Sequence, residues 1–319
     1  MKLLLKRTAY IVASVFIFFN IICAFQAYHF TRFEENYVPQ NPQQMGFLDK
    51  TGAALFGLPM AKSKVVDSLK IAHSNTTLTT EDGFKLASWH LRHLQNDSVK
   101  SKGTIILFHG HGSCRSGLIA EATDFYNLGW NVFMIDFRSH GESEGSECSV
   151  GYREVRDVKT AYDYISKTGE KNILLYGASM GAATITKAMN DYPDIQPRKI
   201  ILEMPFANMQ HAVEGFVRTM NLPDEPLGTF LTFWGGTELG IWAFSNRPSE
   251  YVKKINCPVL LQWGKDDIRV TEKETDEIFA NLPGKEKTVV KYDGVGHESI
   301  CKKSHEKWMQ NVTAFLGSK

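Results

Sequence analysis

Apolar and polar positions follow three different patterns along the chain. Residues 8–27 are almost continuously apolar, interrupted only by Ser14, Asn20 and Gln26 after the first position. At about 1.5 Å per residue, about twenty residues match the roughly 30 Å hydrocarbon core of a bilayer. The stretch therefore reads as a transmembrane anchor behind a short terminus at 1–7. Residues 28–75 keep no period, and Pro39, Pro42 and Pro59 break any long element, so they read as a juxtamembrane connector. From residue 76 onward, short apolar runs alternate with longer amphipathic ones.

That alternation predicts the architecture. Residues 76–80 and 85–92 alternate in polarity around Glu81-Asp82-Gly83, the pattern of a hairpin. The runs 103–108, 130–136, 172–176, 199–203, 258–263 and 287–292 read as strands, and the first five are apolar enough to be buried on both faces. Helical spacing marks 118–128, 152–167, 180–190, 271–281 and 299–316. Strand and helix in alternation predict a mostly parallel sheet flanked by helices, an α/β domain over 76–317. Residues 206–251 break the rhythm with large apolar side chains and no strand-like run, which suggests a short helical lid.

Composition and charge narrow the partners. A chain with 43% hydrophobic and 22% charged residues can bury a large core, and a formal net charge of +1 carries no basic excess. No Lys/Arg block or zinc-finger spacing is present, so nucleic acid is not an expected partner. Lys2, Lys6 and Arg7 precede the apolar run, while Arg32 is balanced by Glu34 and Glu35. This bias predicts a cytoplasmic amino terminus with the domain that follows the span outside, periplasmic or extracellular. A removed signal peptide, with secretion, is the alternative; Ala24 and Ala27 are spaced poorly for cleavage, which favours a retained anchor. Of the cysteines beyond the span, Cys114 and Cys148 form the pair to test for a disulfide, with separate thiols at these positions and at Cys257 and Cys301 the simpler expectation. Asn75, Asn96 and Asn311 sit in glycosylation triplets that matter only if a glycosylating cell exports the chain.

The chemistry is concentrated at strand ends. Gly177-Ala178-Ser179-Met180-Gly181 lies between a strand-like and a helix-like run, where a sharp turn would lift the Ser179 hydroxyl out of the sheet edge. A serine hydroxyl needs a base and a group that orients the base. Asp267 follows one later strand and His297 the next, giving the chain order Ser179, Asp267, His297. Asp266 and, more remotely, Glu203 are the other carboxylates considered. An oxyanion formed at Ser179 needs N–H donors, for which the amides of His111 and Met180 are expected, with Gly112 as alternate. His109 and His111 have no further ligands at metal-binding spacing, and neither a metal nor an organic cofactor is expected.

His109-Gly110-His111-Gly112, the stretch 136–143, Gly177 to Gly181, Gly264-Lys265-Asp266-Asp267 and Gly296-His297-Glu298 together resemble the α/β-hydrolase superfamily. The likeness is to its serine-hydrolase branch of bacterial esterase-like and prolyl-oligopeptidase-like domains, and covers about residues 76 to 317. It implies that Ser179 is the nucleophile, His297 the general base and acid, and Asp267 the orienting carboxylate. In the 136–145 loop, Ser139 stands where the family usually has glycine; Asp136 and Arg138 are expected to brace the loops there. The implied activity is hydrolysis of a carboxylic ester or related acyl bond through an acyl-enzyme. Peptidase, thioesterase and acyltransferase share this machinery, and a non-catalytic membrane-anchored binding protein is the reading from another class. The lid and anchor favour a small-molecule or lipid-like acyl substrate.

Overall fold

The computed structural model of the chain describes residues 1–38, 45–93 and 100–317. Its strands are β1 (Phe33–Glu34), β2 (Met60–Ala61), β3 (Ser74–Thr79), β4 (Lys85–Leu91), β5 (Thr104–Phe108), β6 (Asn131–Ile135), β7 (Ile173–Ala178), β8 (Lys199–Glu203), β9 (Val259–Gly264) and β10 (Lys287–Tyr292). Its helices are α1 (Lys2–Phe30), α2 (Phe47–Phe56), α3 (Ile119–Asn127), α4 (Val155–Lys167), α5 (Met180–Asp191), α6 (Met209–Thr219), α7 (Leu227–Leu239), α8 (Pro248–Tyr251), α9 (Glu272–Asn281), α10 (Ile300–Lys303) and α11 (His305–Gly317).

Eight strands form one sheet in the order β10-β9-β8-β7-β5-β6-β4-β3. From β10 to β6 all neighbours are parallel, whereas β4 runs antiparallel to β6, and β3 to β4. Every residue of β5 and of β9 is buried, as expected for strands covered on both faces. At the edge, β10 is only partly covered, which accounts for its lysines. Helix α4 shows the complementary logic: Val155, Val158, Ala161, Tyr162 and Ile165 recur every three or four residues and are its buried face. Thr271 caps α9, accepting from the Glu274 amide while Glu274 accepts from the Thr271 amide.

Several expectations change. The amino-terminal helix extends beyond 8–27 in both directions; residues 1–18 are exposed, and contact with the domain begins at Phe16, whose ring meets Phe230. The 28–75 segment contains α2 and a parallel β1–β2 pair, with Phe33 opposite Met60. It is tied to the domain, because Phe33 donates to the Ser146 carbonyl and Arg32 pairs with Glu147 and Glu238. Pro39, Pro42 and Asn96 lie outside the described residues. The helix expected over 299–316 breaks at Ser304 (φ −136°, ψ 55°), and beyond the break Trp308 is fully buried. Cys114 and Cys148 are unpaired: Cys114 Sγ lies 3.2 Å from Ser116 Oγ, and Cys148 Sγ lies 3.7 Å from Met180 Sδ. The 206–251 insertion has two parts. Helices α6 and α7 pack on each other and α7 runs along α1, whereas α8 packs on α5 and completes the core.

Candidate active site

Parallel strands β5, β7, β9 and β10 end at one edge of the sheet, so the loops after them converge there. The turn after β7 holds Ser179 at φ 52°, ψ −114°, a conformation that a side chain rarely adopts. Its neighbours explain why the turn persists. A Cβ on Gly177 would lie 2.6 Å from the Ala182 nitrogen, and one on Gly181 would collide with the Phe108 carbonyl. The Ser179 amide donates to the Glu203 carbonyl at 2.7 Å, pinning the turn to β8.

Ser179 Oγ lies 2.8 Å from His297 Nε2, and His297 Nδ1 lies 2.7 Å from Asp267 Oδ2. The second Asp267 oxygen accepts from the amides of Arg269 and Val270 at 2.7 and 2.9 Å. Asp267 is thus buried with both oxygens engaged, while Asp266 is exposed. Glu203 lies elsewhere: its Oε1 accepts from Gln262 Nε2 and Trp308 Nε1 in the core. Burial, together with the nearby Glu121 carboxyl, pushes Glu203 up to about 8, so it is largely protonated at neutral pH.

The loop after β5 passes directly over Ser179, with the position of a Gly110 Cβ 3.4 Å from Ser179 Cβ. Among the described residues, the amides of His111 and Met180 donate to no protein acceptor. The Gly112 amide instead donates to His140 Nε2 at 3.2 Å, which removes the alternate donor. His109 donates from Nδ1 to the Gly110 carbonyl and accepts from the Phe137 amide, and His140 donates from Nδ1 to the Arg138 carbonyl. Burial pushes His109 down to about 4 and both His111 and His140 to about 3, so all three rings are neutral near pH 7.

The 136–145 segment is structural bracing. Asp136 accepts from the Arg115 amide and guanidinium and from the Glu142 amide. Arg138 pairs with Asp157 and Asp82, each at 2.7 Å. Ser139 occupies its glycine-like position at φ 67°, and its hydroxyl donates to the Glu147 carbonyl at 2.6 Å. Among the described residues, Asp124, Cys301 and His305 are close enough to share a cation, but none of them lines the space at Ser179.

That space is a cavity of about 30 Å³ lined by Ser179, His297, His111, Phe30, Val150 and Arg269, among others. Two of these carry no sequence signal. Phe30 belongs to α1, within the stretch read as a connector, yet it stacks on the His111 ring with centroids 5.0 Å apart. Arg269 follows Asp267 by two residues and lines the cavity, and among the described residues its guanidinium has no hydrogen-bond or ion-pair partner. Burial pulls its pKa down, against the field of Asp267.

Comparison with known proteins agrees with this architecture. Residues 99–232 match the family described as serine aminopeptidase, S33. Over 216 residues the chain is 27% identical to the Bacillus subtilis protein YqkD, covering 67% of this chain and 70% of that one. It is 28% identical over 214 residues to the lysophosphatidylserine lipase ABHD12 of Danio rerio, covering 60% of this chain and 54% of the lipase, so it spans about half of that relative. The fold of Pyrococcus furiosus esterase Pf2001 superimposes with a TM-score of 0.66 at 22% identity, covering 82% of this chain and 98% of the esterase. The chain has the α/β-hydrolase fold, and the family match lies within it, over residues 99–232.

Proposed function

We propose that the chain is a member of the α/β-hydrolase superfamily and a serine hydrolase that cleaves a carboxylic ester or related acyl bond through a covalent acyl-enzyme. The observation that carries the reading is the continuous Ser179–His297–Asp267 hydrogen-bond chain, with separations of 2.8 and 2.7 Å. Ser179 Oγ attacks the acyl carbon as its proton passes to His297 Nε2. The carbonyl oxygen becomes an oxyanion, for which the free amides of His111 and Met180 are the proposed donors. Collapse expels the alcohol, protonated by His297. Water, deprotonated by the same ring, then adds to the acyl-enzyme, and release of the carboxylic acid restores Ser179. Asp267 holds Nδ1–H toward itself, leaving Nε2 free to accept.

A lysophospholipid-like substrate, the class named for the lipase relatives, is supported by Arg269. A guanidinium in the cavity with no partner among the described residues suits an anionic headgroup better than the amine of a peptide amino terminus. The apolar amino-terminal helix is proposed as a retained anchor with Lys2, Lys6 and Arg7 on the cytoplasmic side.

The test is treatment of the full chain with a fluorophosphonate probe beside Ser179→Ala. Labelling and ester turnover are expected in the first and absent in the second. A folded wild-type protein that neither labels nor turns over esters would transfer the fold to a binding role.

A further inference from the structure

The cavity at Ser179, about 30 Å³, has room for about two water-sized groups, so any acyl chain beyond the first carbons must continue elsewhere. A second cavity of about 530 Å³ adjoins it. Phe30 and Val150 line both. The larger cavity is apolar, and its walls come from α1, α2, α6 and α7, through side chains such as Ile22, Ala27, Phe216 and Leu231.

The wall formed by α1 is unusual for what it joins. Residues 1–18 are exposed and span about 27 Å along the helix axis, close to the roughly 30 Å hydrocarbon core. Packing on the domain starts at the end of this stretch, where Phe16 meets Phe230 with ring centroids 5.9 Å apart. Phe19 meets Phe230 with ring centroids 5.1 Å apart, and Trp234 Nε1 donates to Asn20 Oδ1 at 3.1 Å. Ile22, the first α1 residue to line the cavity, lies about 6 Å beyond Phe18 along the axis. Large apolar side chains are also exposed on the elements around the cavity: Phe47 and Leu48 on α2, Leu222 before α7 and Trp242 after it are exposed by 82, 80, 47 and 62%. Such side chains suit a membrane–water interface rather than open solvent.

We infer that the amino-terminal helix is one wall of the substrate site, and that the acyl chain of a bilayer-resident ester passes from the membrane surface into the α1–α7 cavity, reaching Ser179 past Phe30. The inference rests on the proposed hydrolase reading for its chemistry, and on the two adjoining cavities for its geometry. It makes the helix part of substrate selection as well as attachment. Each methylene that enters the cavity should raise kcat/KM by about fourfold, the factor equivalent to about 0.8 kcal/mol, until the cavity is filled.

The test uses the full chain in phosphatidylcholine nanodiscs, with Ile22→Trp on one wall and Leu231→Trp on the other. One readout is the ratio of kcat/KM for p-nitrophenyl palmitate to that for p-nitrophenyl acetate. The other is cross-linking by a diazirine-bearing palmitoyl probe, which does not depend on catalysis. Expected are cross-links concentrated in α7 and in α1 beyond Phe19, reduced at least fivefold in each variant, and a palmitate-to-acetate ratio at least tenfold lower. Cross-links confined to residues 1–18 and unchanged in both variants would overturn the inference, as would an unchanged ratio in variants that melt like the wild type. If fluorophosphonate fails to label Ser179 while the cross-links follow the expected pattern, the hydrolase reading falls and the acyl site stands.

Discussion

Replacement of Asp267 by asparagine is a sharp perturbation because the structure dictates how the amide must sit. Oδ1 of Asp267 accepts from the Arg269 and Val270 amides at 2.7 and 2.9 Å. Turning the side-chain NH2 toward them would leave two buried donors without acceptors, at about 1–3 kcal/mol each. The carboxamide oxygen therefore stays, and the NH2 faces His297 Nδ1, where Asp267 Oδ2 lies at 2.7 Å. This favours the tautomer with the proton on Nε2. A ring protonated at Nε2 cannot accept the Ser179 proton, although the atoms barely move. The equivalent change in a serine protease lowers kcat by about 10⁴, a barrier increase of about 5 kcal/mol, and a similar loss is expected here. The assay is p-nitrophenyl ester turnover by the full chain, with the fluorophosphonate labelling rate as a second measure. Asp266→Asn is the control: its side chain is exposed, and its activity should stay within twofold. A folded Asp267→Asn protein retaining more than a tenth of wild-type activity would refute the tautomer argument, and a greater loss in Asp266→Asn would reassign the acid.

Three further outcomes follow from buried charge. Glu203 has a folded pKa of about 8 against an ordinary 4.5, so the unfolded chain releases this proton first. Wild-type stability should therefore fall as pH rises from about 4.5 to about 8, and Glu203→Gln should remove a few kcal/mol of that slope, read as a Tm gain over wild type at pH 8 but not at pH 5. Arg269→Gln should lower kcat/KM for an anionic lysophospholipid by about tenfold relative to a neutral monoacylglycerol; equal losses on both would remove the headgroup role. Arg138→Met leaves the fully buried Asp157 without its ion-pair partner and should cost about 3–5 kcal/mol in denaturant unfolding.

Much of the sheet is legible locally. Strands covered on both faces must be apolar throughout, which is why 199–203 and its parallel neighbours can be located from pattern alone. The turn at Ser179 is legible for a related reason: glycines at 177 and 181 are demanded by backbone within a few residues and by one adjacent strand. The chain order of Ser179, Asp267 and His297 is likewise a property of the sequence, since each follows a strand that the pattern marks. Other features depend on which distant segments meet. Gly112 is spent on His140, so its fitness as a donor is settled by a loop 28 residues away. Phe30 looks like connector, yet it covers His111, and Ser304 interrupts a helix whose period runs on through it. By itself the sequence determined the parallel sheet, the elbow and the candidate acid, base and nucleophile, because burial and turn geometry are written in neighbouring residues. That α1 walls the space beside Ser179, and that Arg269 lines it with no partner among the described residues, emerges only in three dimensions, because those contacts arise between segments that become neighbours when the sheet and its cap assemble.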